Sequence, residues 1–428
     1  MKTLCRGDTA TMLVVVLLGL MLVLSQSVQA QTYKVIYNFT GGQDGSYPLF
    51  GLTMDAGGNL YGTAYEGGSS NCPGGCGTVY RLRNKNGYWI LAPLYAFKGG
   101  DDGVWPQGPV VFGPNGTLYG TTAYGGSSNC SIPGRPNGCG TVFNLKPSPT
   151  APKSALQPWV ETVLYRFQGG NDGALASGGA PVFDASGAMY NGTIYGGSSN
   201  CTNGCGTVYK LTPSGQGYTE SIIYSFTGGS DGFNQAGTVV FDQAGNLYAV
   251  AYQGGGGGGV GTVIQLTPSG GGWTETTLHT FLSTDGTYPT AGVILDKSGN
   301  LYGTTSSAGP AGGGTVYELT PSSGSWTFNL LYGFTGVWLG GPVNRLAMDA
   351  DGNLYGTACS DGAHQQGSVF KLSPSGGGWT YADLYDFTGG SDGWCPQSYL
   401  LLDANGNLYG TASHGGTHGY GVIFEITP

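Results

Sequence analysis

The sequence predicts an all-β fold, a seven-bladed β-propeller with four strands per blade, on three observations. Glycine makes up 84 of 428 residues, a load that a helical protein cannot carry, because each helix-interior glycine costs about 0.5–1 kcal/mol relative to alanine. The phrase Gly-Asn-Leu-Tyr, or a close variant, recurs seven times, with its tyrosine at Tyr61, Tyr119, Tyr190, Tyr248, Tyr302, Tyr355 and Tyr409. A period of this length marks an array of like units rather than a mosaic of domains. Around each tyrosine lie four short runs rich in Val, Tyr, Thr and Phe, the composition of pleated, half-buried strands, and four strands repeated seven times describe propeller blades.

Residues 1–30 have the pattern of a signal peptide. Lys2 and Arg6 precede an apolar run from Met12 to Leu24, and Val28-Gln29-Ala30 fits the small-residue rule for signal-peptidase cleavage. Thirteen apolar residues fall short of the roughly 20 needed to span a bilayer. The expected product is an exported chain, 31–428, folded as one domain without a membrane span. Cys5 leaves with the leader.

The mature chain then opens on a lone strand, Tyr33 to Phe39, of the type that comes last in each repeat. The repeat itself runs in a fixed order. A short apolar run ends, in six copies, in an aspartate (Asp55, Asp184, Asp242, Asp296, Asp349, Asp403), with Gly113 in the second copy. A glycine follows, and the pair makes a hairpin turn into the tyrosine strand. A glycine-rich loop leads to a third strand that begins Gly-Thr-Val or similar, at Gly77, Gly140, Gly206, Gly261, Gly314, Gly367 and Gly421. The fourth strand ends at Phe39, Phe97, Phe167, Phe226, Phe281, Phe334 or Phe387. The chain finishes on a third-type strand, Tyr420 to Ile426. The two ends are therefore complementary, and the sequence predicts that Tyr33–Phe39 completes the last blade and closes the ring. Lys146 to Pro158 is an insertion in one turn.

Eight cysteines remain after the leader, an even number that in an exported protein argues for disulfides. The repeats pair them as Cys72 with Cys76, Cys130 with Cys139 and Cys201 with Cys205, which leaves Cys359 with Cys395. No second Cys or His pair stands at zinc-site spacing from the three short pairs, so neither metal nor cofactor is expected. Lys plus Arg is 15 against Asp plus Glu 24, a net charge of −9, which excludes a basic nucleic-acid binder.

The phrases Phe-Thr-Gly-Gly-x-Asp-Gly, Asp-x-x-Gly-Asn-Leu-Tyr-Gly-Thr and Gly-Thr-Val-x-x-Leu-Thr-Pro-Ser-Gly together resemble the GloVer (Gloeobacter and Verrucomicrobia) tandem repeat across residues 33–428. The resemblance implies an exported bacterial surface or extracellular protein and transfers no functional residue. Members often end in a sorting anchor. Here the sequence stops at Pro428, so a secreted, extracellular protein is the expectation, with a periplasmic or surface-associated one as the alternative.

Strand alternation divides the loops between two faces, short hairpin turns on one and glycine-rich loops with blade crossings on the other. Function is sought on the second, since rigid scaffolds carry their sites on loops. The crossings place an aspartate near an aromatic residue, as in Asp102 with Trp105 and Asp392 with Trp394, a pairing suited to sugar rings and hydroxyls. It is equally suited to a turn and a wedge between blades. Asp361, His364, His414 and His418 fall on the same face of the last two blades. They are too loosely spaced for a rigid metal motif and read either as solvated loop residues or as an asymmetric site. The sequence points to a monomer that binds extracellular glycan or a surface protein. Its competitors are a lyase or hydrolase on the histidine-bearing face and a passive envelope or matrix component.

Overall fold

A computed structural model describes residues 31–428 except 133–134, 149–158, 177, 216 and 337–339. The expected signal peptide, with Cys5, and most of the Lys146–Pro158 insertion lie outside the described residues. Seven separate antiparallel sheets form the blades of a seven-bladed β-propeller. Blade 1 shows the plan: Thr53–Met54 innermost, then Leu60–Ala64, Thr78–Lys85 and the outer strand Tyr88–Ala96.

Blade 7 is assembled from both ends of the chain. Leu401–Leu402, Leu408–Ala412 and Val422–Thr427 are completed by Thr32–Asn38, which pairs antiparallel with Val422–Thr427 from Thr32–Thr427 to Asn38–Val422. In every blade the phenylalanine ending the outer strand donates its N–H to the glycine that opens the third strand. The closing blade follows suit, with Phe39 N–H to the Gly421 carbonyl at 3.0 Å. Ile36 and Phe39 then bury against Leu52, Leu60 and Tyr80 of blade 1, so the strand is held by backbone pairing on one side and by apolar packing on the other.

The hydrophobic core lies between blades. Phe387 of blade 6 packs with Leu400, Leu408 and Phe424 of blade 7, and the same arrangement recurs around the ring. Glycine in the Leu-Tyr-Gly phrase permits this density. A Cβ on Gly62, Gly303, Gly356 or Gly410 would strike the ring of Tyr80, Tyr317, Phe370 or Phe424. Each hairpin aspartate also has a defined task. Asp55 accepts the backbone N–H groups of Gly57 and Asn59 and the Tyr61 hydroxyl, each at 2.9 Å. Burial alone would raise the Asp55 pKa, but these bonds outweigh it and hold the carboxyl below its ordinary value.

The innermost strand is bulged in a way that shapes the centre of the molecule. In blade 1 it takes seven steps between the Ser46–Glu66 and Thr53–Tyr61 pairings while its neighbour takes five. The surplus residues leave the ladder and project toward the axis. Pro48, Pro106, Pro289 and Pro396 stand where the bulge begins, because proline has no N–H to lose from the ladder. The freed carbonyls find partners on the preceding blade. Thr63 donates its hydroxyl to the Gly108 carbonyl at 3.0 Å, Thr357 to Ser398 at 2.9 Å, and Thr411, across the closing seam, to Pro48 at 2.7 Å. The threonine after Leu-Tyr-Gly is thus a bolt between blades.

Candidate functional site

The glycine-rich loops and crossings gather on one face as the strand order requires. All four expected disulfides are formed: Cys72–Cys76, Cys130–Cys139, Cys201–Cys205 and Cys359–Cys395.

The crossing aspartates are engaged by their own blades. Asp102 accepts the Tyr95 hydroxyl and the Lys98 N–H. Asp392 accepts the Tyr385 hydroxyl at 3.0 Å, the Thr388 N–H and hydroxyl at 2.7 Å each, and the Gly390 N–H at 3.1 Å. Burial raises the Asp392 pKa, but these donors more than offset it and hold the carboxyl below its usual range. The tyrosine seven residues before each aspartate is the other half of a turn-locking pair. In blade 4 the pair becomes His279 and Asp285, with Nε2 3.2 Å from the carboxylate; this histidine is half-buried and stacks on Phe328. Asp361 accepts longer bonds, 3.4 Å each, from Ser368 and Tyr381.

Trp105 and Trp394 occupy different registers. Trp105 has φ 56°, and the equivalent position of blade 7 is Cys395 with φ 53°. At this position the structure joins neighbouring blades above the bulge. Trp105 of blade 2 stacks on Tyr65 of blade 1 (centroids 5.1 Å apart) and donates its indole N–H to the Gly75 carbonyl. Tyr288 of blade 5 stacks on Tyr252 of blade 4 at 4.9 Å. Between blades 6 and 7 the Cys359–Cys395 disulfide takes the place of the aromatic pair.

Trp394, one residue earlier, faces outward and is 37% exposed. It pairs in the ladder with His414 and stacks on its ring at 4.2 Å. The His414 ring lies 5.1 Å from that of Tyr47 in blade 1, and its Nδ1 is 2.8 Å from the Ser413 hydroxyl. Burial lowers the His414 pKa, which favours the uncharged ring. Tyr47, His414 and Trp394 therefore form an aromatic row across the closing seam. His364 and His418 are exposed in their loops. Among the described residues no three His, Cys, Asp or Glu side chains come together as a metal site, so the structure does not gather the three loop histidines with Asp361 and Asp392.

Sequence reasoning did not single out the centre of the ring. The bulged inner strands enclose a cavity of about 530 Å³ lined by residues of all seven blades. The position three residues before each inner-strand apolar anchor (Leu52, Val110, Val239, Val293, Leu346, Leu400) supplies its wall. The signal was there in what differs between repeats: Leu49, Gln107, Ala236, Thr290, Val343 and Gln397 share one place in the motif and no chemistry.

The model of the Gloeobacter/Verrucomicrobia repeat matches residues 22–200, 130–337 and 256–428, and the chain belongs to that family. No curated protein matches the sequence. Among solved structures, the protein is similar to one from Thermus thermophilus provisionally described as an oxidoreductase (glucose dehydrogenase). The two share 13% identity with a TM-score of 0.45, over 92% of this chain and 99% of that one. A protein provisionally described as a gluconolactonase is similar at 12% identity and a TM-score of 0.41, over 84% of this chain and 95% of that one.

Proposed function

We propose that the protein is a secreted, carbohydrate-binding propeller that holds extracellular glycan on its long-loop face. The observation that carries this reading is the Trp394–His414–Tyr47 row. An indole left 37% exposed while braced from behind by a second ring offers a rigid apolar platform with few side-chain torsions to freeze, and the C–H face of a sugar ring stacks on such a surface. The burial that disfavours a charged His414 supports an uncharged ligand, and the chain's net charge of −9 opposes a polyanion. The four disulfides and the leader sequence support an oxidising, extracellular setting.

The test is a glycan array probed with the mature wild type and with Trp394→Ala. The wild type is expected to retain one or more glycans, and Trp394→Ala to lose at least roughly tenfold in affinity, about 1.4 kcal/mol, with no effect of EDTA on either. A wild type that binds no glycan rejects the reading in favour of a protein partner or a passive matrix role.

A further inference from the structure

We infer that the central cavity is a second, deeper site, which takes the neutral end of a carbohydrate chain or a free neutral sugar. The inference rests on the carbohydrate reading but on different residues. At about 530 Å³ the cavity falls within the range of small-molecule pockets, about 300–1,000 Å³.

Its lining is unlike the rest of the core in one respect: it holds side-chain amides with nothing to do. Gln107 and Asn344 use their backbone carbonyls to receive threonine hydroxyls, from Thr121 within blade 2 and from Thr304 of blade 5 across the boundary to blade 6. Their carboxamides make no hydrogen bond among the described residues, although both line the cavity. Gln397 reaches only the Cys359 sulfur, at 4.0 Å. Gln235 is half-engaged: its Nε2 is committed to the Ala236 and Gly237 carbonyls at 3.1 and 3.0 Å, while its buried Oε1 has no partner among the described residues. A carboxamide presents an acceptor and a donor side by side, which matches the paired hydroxyls of a sugar. Tyr195 and Tyr252 stand at the same mouth and supply apolar faces with hydroxyl tips.

Charge selects among ligands. The described lining contains no Asp, Glu, Lys, Arg or His. The adjoining cation, Arg345, follows Asn344 but lays its guanidinium over the Tyr399 ring, 5.2 Å from the centroid. A charged ligand would be desolvated here without a counter-ion. Shape selects as well. Phe50 extends from blade 1 to within 3.0 Å of where a Cβ on Gly178 of blade 3 would sit, which narrows the cavity and favours entry of a chain end over passage of a chain. Polypeptide ends are charged, whereas the non-reducing end of a neutral glycan is not.

The experiment titrates the mature protein, by calorimetry and ligand-observed NMR, with neutral mono- and disaccharides, the corresponding uronic acids and an end-blocked neutral tripeptide. Wild type, Gln107→Leu, Asn344→Leu and Trp394→Ala are compared. Leucine replaces amides that bond nothing in the protein, so the fold is expected to persist, and the wild-type panel is decisive without the variants. The expected result is binding of one or more neutral sugars to the wild type and to Trp394→Ala, weakened at least roughly tenfold in Gln107→Leu and Asn344→Leu. Four results overturn the inference: no neutral sugar binds the wild type; Gln107→Leu and Asn344→Leu bind as the wild type does; a uronic acid binds more tightly than its neutral parent; or the tripeptide binds and the sugars do not. If small sugars fail while glycans still bind through Trp394, the cavity inference falls and the surface platform stands.

Discussion

On the outer rim of the ring, one side chain of the outer strand in blades 2 to 7 faces the crossing of the blade before it, and two groups of three blades fill that place differently. In blades 2, 3 and 4 it is Glu161, Glu220 and Glu275, which face Asp102, Asp172 and Asp231. In blades 5, 6 and 7 it is Phe328 on His279 at 4.5 Å, Tyr381 on Tyr332 at 4.1 Å and Tyr33 on Tyr385 at 3.7 Å, all near-parallel stacks. The backbone plan is the same in both halves, so blade geometry does not depend on this contact and its energetics are free to differ. The aromatic half contains the closing seam, where the outer strand Thr32–Asn38 meets Val422–Thr427 of its own blade through hydrogen bonds and not through a connecting turn, and it also holds the disulfide of longest sequence separation, Cys359–Cys395. Apolar stacking and a cross-link are concentrated where the ring could open, while Glu161 and Glu220, whose pKa values burial raises to about 7, lie in the other half.

The largest effect should come from the seam itself. Removal of residues 31–39 strips the outer strand from blade 7, exposes the Val422–Thr427 edge and deletes the Tyr33 stack. The apparent melting temperature is expected to fall by roughly 10 °C or more, in a single transition. A truncated chain that melts with the intact one would mean that closure is not what holds the ring. The next effect is the double substitution of Cys359 and Cys395 by serine. Chain-entropy arguments assign about 4 kcal/mol to a cross-link at a separation of 36 residues and about 2 kcal/mol to the four-residue pairs, so loss of Cys72–Cys76 should shift a denaturant midpoint about half as far. Equal shifts would remove the distinction between the halves.

Much of this was legible in the sequence because repetition makes it so. Strand order, blade number, ring closure and three of the four cysteine pairs follow from features that recur, with Cys359–Cys395 left as the remainder, and recurrence averages out local ambiguity. The threonine after Leu-Tyr-Gly and the crossing aspartates recur too, yet their partners sit on another blade or seven residues upstream, distances at which a one-dimensional pattern shows that a residue is needed and not what it touches. Trp105 and Trp394 looked equivalent because each follows an Asp-Gly. A one-residue offset puts them in different places, one wedged between blades and one facing out, since strand side chains alternate. The cavity was hidden for the opposite reason. Its walls are built from the one position where Leu49, Gln107 and Thr290 differ, and an alignment of repeats directs attention to what they share.

A smaller effect tests the aromatic half. Tyr381→Ala removes stacks on Tyr332 and Phe370 and an edge contact with Phe334, together with hydroxyl bonds to Asp361 and Asp383; measured against Tyr381→Phe, which loses the bonds and keeps the ring, it should cost about 2 kcal/mol in equilibrium unfolding at any pH from 5 to 8. A cost that varied across that range would show the aromatic half to be pH-linked as well.

The smallest effect tests the other half, and its sign is fixed. Burial, reinforced by the neighbouring Asp102 and Asp172 carboxylates, raises the pKa of Glu161 and of Glu220 to about 7, whereas an unfolded glutamate titrates near 4.3. The folded protein therefore binds protons that the unfolded chain has released, and stability falls as pH rises from about 4.5 to about 7. Glutamine at either position keeps the shape and abolishes the titration. Glu161→Gln and Glu220→Gln should each stabilise the protein at pH 8 by about 1 kcal/mol, less than the full shift implies because both residues are only partly buried, although Oε1 of each is shielded, and should be near neutral at pH 4. Glu275 gives an internal control. Its pKa is raised, first by burial, but Thr277 donates a 2.8 Å hydrogen bond to its carboxylate and opposes the shift, so Glu275→Gln should stabilise less. Thermal melts of the three variants at pH 4, 6 and 8 make the measurement. A glutamine series with no gain at pH 8 would mean that these carboxyls are solvated and that the two halves differ in composition without differing in response.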